Sequence, residues 1–90
     1  MGQYMVERHL AGFPPENLPA AAAAAKQAAS EMSAEGTDMR YVRSTWVPEG
    51  ERCFCLFEGA SREAVEEAQQ RANLPYERIH DAAFLTADDV

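Results

Sequence analysis

Histidine and cysteine are scarce in this 90-residue chain, with two of each. An all-imidazole metal site within one chain is thereby excluded, and no paired C-x-x-C motif or zinc spacing occurs. Cys53 and Cys55 are two residues apart, a spacing on an extended chain that does not suit a short disulfide. There is no glycine-rich phosphate loop and no serine–histidine–aspartate set. Basic side chains are also few. Eight stand against fifteen acidic ones, for a net charge of -7. Such a surface repels phosphate backbones and anionic lipid, so neither a nucleic-acid nor a membrane partner is expected. The alanine run Ala20–Ala25 ends at Lys26, far short of a membrane span. The opening Met1-Gly2-Gln3-Tyr4 lacks the basic-then-apolar pattern of a secretory leader, so the expected setting is soluble, reducing and cytoplasmic.

What is present describes one folded domain over residues 1–90. With 47% hydrophobic and 26% charged residues, disorder is not expected over most of the length. A chain of this size buries a modest core, so association with a partner would help it. Alternation predicts a first strand over 3–10, with Tyr4, Val6, Arg8 and Leu10 on one face and Met5, Glu7 and His9 on the other. Gly12-Phe13-Pro14-Pro15 breaks the chain. A helix then starts near 17–19, where a first-turn proline is tolerated, and stops at Gly36. Its alanines make it thin enough to lie close to a sheet. A strand over 39–47, the turn Pro48-Glu49-Gly50 and a strand over 51–58 form a hairpin. Ser61 reads as the cap of a second helix over 62–72, with Ala64, Val65, Ala68 and Ala72 facing inward. Asn73-Leu74-Pro75 ends that helix. A last strand over 77–85 and a polar tail over 86–90, expected to fray, complete the chain.

The order strand–helix–strand–strand–helix–strand, with right-handed crossovers, gives an α+β ferredoxin-like βαββαβ domain. Its four-stranded antiparallel sheet carries both helices on one face. The third strand is apolar on both sides: Cys53, Cys55 and Phe57 on one, Phe54 and Leu56 on the other. Two helices cover one face only. A homodimer, of the dimeric α/β barrel kind, is therefore expected to cover the second.

Several segments carry a family likeness: Tyr4-Met5-Val6-Glu7-Arg8, then Phe54-Cys55-Leu56-Phe57-Glu58-Gly59-Ala60, Glu63-Ala64-Val65, and Asn73-Leu74-Pro75-Tyr76-Glu77-Arg78-Ile79. In this order they resemble the DUF4242 family, small nickel-binding ferredoxin-like proteins. The resemblance implies a homodimer and nickel, and it brings no secure catalytic activity. It departs at Gly59-Ala60-Ser61, where members commonly have Ala-Pro and a polar residue, and at Gln69, where members often carry histidine.

Glu7 and His9 share a strand face and offer a carboxylate and an imidazole, donors suited to a divalent transition metal. With Glu58 or a dimer mate they form the expected nickel site, supported by the resemblance rather than by the spacing; the alternative is an ordinary solvated strand face. Glu58 has a second reading, as an ion-pair partner of Arg8, Arg40 or Arg43. Cys53 and Cys55 read best as small buried residues, and His80 as a surface or capped residue. The rival functional class is a cofactor-free dimeric enzyme or small-ligand carrier. Its pocket would lie between sheet and helices, lined by Arg8, His9, Tyr41 and Trp46.

Overall fold

Hydrophobic alternation sets the sheet. The computed structural model, which describes residues 1–90, places β1 at Gly2–His9, β2 at Met39–Val47, β3 at Arg52–Gly59 and β4 at Arg78–Ala82. The helices are α1 (Leu18–Ala34) and α2 (Arg62–Ala72). The strand order is β2-β3-β1-β4, all neighbours antiparallel, so the first and third strands are central. This is the ferredoxin-like arrangement expected from the element order. The last strand is shorter than the sequence suggested. After Ala82 the chain leaves the ladder, and the Phe84 backbone N–H donates to the Gln3 side chain at 2.8 Å. The tail expected to fray carries one capped turn, Ala87–Asp89, closed by Thr86 and Asp89.

One sheet face meets the helices. Val6, Cys53, Cys55, Phe57 and Ile79 pack there against Ala25, Ala29 and Met32 of α1 and Ala64, Val65 and Ala68 of α2. The alanines keep α1 close to the strands. Its C-terminus turns at Gly36 in the left-handed region (φ +99°), the conformation that favours glycine. Helix α2 starts at Ser61, whose hydroxyl accepts from the Ala64 N–H at 3.1 Å, and ends at Asn73, itself left-handed at φ 55°.

The opposite face has no helix. Met5, Phe54 and Leu56 lie half-buried on it, and with Val42 and the segment after β4 they line an open groove of about 800 Å³. A β-bulge between Tyr41 and Arg43 lets Arg40 and Arg43 both face this side.

Candidate functional site

Two sites emerge, one on each face of the sheet. The open face holds the residues singled out as metal ligands, but it does not gather all three. Glu7 is opposite Phe54 in the β1–β3 register and Glu58 is opposite Gln3, four residues further along β3. That separation is about 13 Å at the rise of a strand. Glu58 is occupied by Gln3 at 2.9 Å and by Arg40 at 2.5 Å. These two hold its carboxyl below the ordinary range, the Gln3 bond contributing most. Arg40 is therefore its partner, and Arg8 points to the other face.

What the open face does bring together is Glu7 and His80. The His80 Nε2 is 2.9 Å from the Glu7 carboxylate, because the β1–β4 register sets Met5 opposite His80 and Glu7 opposite Arg78. That hydrogen bond, followed by the charge of Arg52 at 3.3 Å, holds the Glu7 carboxyl below its usual value against the opposing effect of desolvation. His9, at the end of β1, is exposed, with its Nδ1 3.8 Å from Glu77. Arg52 also bonds Glu77 at 3.0 Å, so Glu7, His80, Arg52, Glu77 and His9 form one chain of contacts at this end of the sheet. His80 was missed as a candidate because a pairing register between the first and last strands is not written in either segment alone. No three His, Cys, Asp or Glu side chains in the protomer stand close enough together to hold a metal ion.

The helix-side face carries the second site, built around Arg8. This residue stands in the middle of the apolar stripe of β1, and the structure buries it to 2% exposure. Its Nη2 donates to Gln69 Oε1 at 2.5 Å, its Nη1 to the Pro75 carbonyl at 3.1 Å, and its Nε to Cys55 Sγ at 3.4 Å. Gln69, itself 1% exposed, is fixed in turn by donating to the Val65 carbonyl at 2.9 Å. Cys55 Sγ also lies 3.0 Å from Ser44 Oγ, which is 2.7 Å from the Tyr41 hydroxyl, and 3.9 Å from Cys53 Sγ. The two cysteines are buried, as their apolar surroundings suggested, but Cys55 sits in a polar network that the C-x-C spacing did not signal.

Ionisation in this network is asymmetric. The Cys53 thiol bonds to Cys55 and, with the Arg8 guanidinium and the Ser44 hydroxyl, draws the Cys55 thiol down to about 5, overcoming desolvation. Cys53 moves upward, because it keeps the proton shared with Cys55 and is desolvated. Burial also pushes Tyr41 up. The network borders a cavity of about 290 Å³ between the sheet and the start of α1, walled mainly by apolar side chains including Phe13, Leu18 and Trp46. Arg8, Tyr41 and Trp46 line it as expected of a pocket on this side, whereas His9 belongs to the other face.

Among solved structures, the fold is similar to the crystal structure of SCO4226 from Streptomyces coelicolor A3(2). The TM-score is 0.77 at 21% identity, covering 93% of this chain and 99% of that one. No curated protein matches the sequence. A family model described as nickel responsive protein SCO4226-like matches residues 4–81, which take in both sites, and the likeness to a small nickel-linked family read from the sequence is shown to that extent. With 78 of its 90 residues matched (4 to 81 inclusive), the chain belongs to the SCO4226-like family of nickel-responsive proteins.

Proposed function

We propose that this protein binds a divalent transition metal, nickel first, through Glu7 and His80 on the open sheet face. His9 is at the same end, and a second copy of the chain completes the coordination shell. The observation that carries this reading is the Glu7–His80 pair, a carboxylate oxygen and an imidazole nitrogen at 2.9 Å, in a chain whose family is described as nickel-responsive. Imidazole and carboxylate together suit nickel, copper and zinc. One protomer does not fit the ion alone, since two donors leave most of the shell of a four- to six-coordinate metal unfilled. The half-buried Met5, Phe54 and Leu56 give a second copy a reason to dock on this face, and docking would bring its own donors near. Glu58 is left out of the set because Arg40 and Gln3 occupy it. The helix-side thiols are the other donors of suitable type, but the buried Arg8 guanidinium beside Cys55 opposes a cation there.

Titration calorimetry with nickel, paired with sedimentation at micromolar protein, tests this. The wild type is expected to bind as a dimer, with His80→Ala and Glu7→Gln each weakening affinity by about tenfold or more. Copper should bind more tightly than nickel in the same assay, following the general affinity order. Absence of binding at submillimolar nickel rejects the metal function. Tight binding by a strict monomer rejects the shared shell. Unchanged affinity in both variants rejects the ligands.

A further inference from the structure

We infer that the helix-side cavity is a binding site for a small organic monoanion, a carboxylate on a short apolar body, with Arg8 as its counter-charge. Three observations meet there. The first is charge. Arg40, Arg52, Arg62 and Arg71 each pair with a carboxylate, and the unpaired Arg43 and Arg78 are exposed to water. Arg8 alone is a buried arginine with no carboxylate partner. A buried charge is costly unless an opposite charge meets it, and its three hydrogen bonds go to a carbonyl, an amide oxygen and the Cys55 sulfur, the one acidic group among them. The second is donor capacity. A guanidinium has five N–H groups; three are used, and the planar fork matches a carboxylate. Ser44 and Tyr41 add hydroxyls to the same polar floor. The third is space. The cavity, about 290 Å³, is at the small end of ligand pockets, and its walls are mostly hydrophobic. Ala21 and Ala22 of α1 line it, so the alanine run that lets the helix approach the sheet also leaves this room unfilled.

Cys55 Sγ is the one acidic group touching Arg8, and it serves as counter-charge when the cavity holds no anion. An incoming carboxylate takes over that role and Cys55 takes up a proton. The titratable groups facing it are Cys53, Tyr41 and Arg8 itself, while α2 contributes the neutral Gln69 to the network. This site is on the face of the sheet opposite Glu7 and His80, so it stands or falls independently of nickel.

Trp46, the single tryptophan, lines the cavity and reports on its occupancy. Fluorescence titration of the full chain with hexanoate, against hexan-1-ol as the neutral probe of the same length, is the test. Hexanoate should give a saturable change and bind at least about tenfold more tightly than the alcohol. Ala22→Leu, which adds bulk to the α1 wall of the cavity and keeps Arg8 in place, should remove the saturable change for both probes. Arg8→Met should abolish the preference for the acid. Should that variant fail to fold, the acid–alcohol comparison and Ala22→Leu decide alone. Equal affinity for acid and alcohol overturns the role of Arg8. No saturable change with millimolar hexanoate, or undiminished binding by Ala22→Leu, overturns the site.

Discussion

Arg8 of the central strand β1 and Gln69 of helix α2 hold each other inside the protein, the guanidinium donating to the amide oxygen at 2.5 Å with both side chains almost fully buried. The contact ties the second helix to the polar network on the helix side of the sheet. Removing either partner strands the other.

Gln69→Leu should therefore destabilise the fold by about 1–3 kcal/mol, the cost of leaving a buried donor unmet, even though leucine suits the surrounding layer. Gln69→Glu should cost less than Gln69→Leu, because it supplies the carboxylate that Arg8 lacks. Urea denaturation of the three proteins checks the order. A Gln69→Leu chain as stable as the wild type would show that the bond contributes nothing net.

The N-terminus of α2 offers a smaller and cleaner test. Ser61 Oγ accepts from the Ala64 N–H at 3.1 Å, and Glu63 lies in the first turn, where a negative charge favours the helix end. Ser61→Ala should cost about 1 kcal/mol and Ser61→Asp close to nothing. Thermal melts of the two variants against the wild type measure this.

Much of this architecture was legible in the sequence. Alternation in Tyr4, Val6 and Arg8 sets the face of β1, which ends at His9 rather than Leu10, Ser61 marks the start of α2, and the two-sided apolar pattern of β3 marks a central strand. The sites were less legible, for a physical reason. Glu7 and His80 meet only because β1 and β4 pair in one register, and a register is a long-range property. Arg8 did carry a local signal: a charge in an inward-facing stripe must find partners inside. Those partners, Gln69, Pro75 and Cys55, come from α2, the chain that follows it, and β3, more than forty residues away in sequence.

Acid should reveal the Glu7–His80 pair. The folded protein holds the Glu7 carboxyl below its ordinary value of 4.5, mainly through the His80 hydrogen bond. A lowered carboxyl contributes stability that is fully present above the unfolded value and is lost as pH falls through the lowered folded one. The stability advantage of the wild type over Glu7→Gln that comes from the carboxylate should thus be present above 4.5 and shrink as pH falls below it. Denaturation at a series of pH values tests it; a difference that widens on acidification would contradict the pairing.

Cys55 gives the sharpest spectroscopic prediction. Its thiol is drawn from 9.0 down to about 5, first by the Cys53 hydrogen bond and then by Arg8 and Ser44. At neutral pH the native chain should therefore carry one thiolate, visible near 240 nm, that titrates away as pH falls toward 5 and is absent from Cys55→Ser. Cys53→Ala removes the largest lowering contact and should move that titration upward, while Cys53 itself stays protonated in the wild type because its own value is raised. The linkage has a definite sign. A depressed thiol stabilises the fold fully above the unfolded value, and the contribution declines as pH falls from 9 to about 5. Above 9 the Cys55 contribution is constant and the raised Cys53 works in the opposite direction, so the stability from this pair declines there as pH rises. Hexanoate adds the decisive arm. A carboxylate that replaces Sγ beside Arg8 should extinguish the 240 nm band at neutral pH, whereas hexan-1-ol should leave it in place. A band that survives saturating hexanoate would mean that the anion and the thiolate do not compete for Arg8.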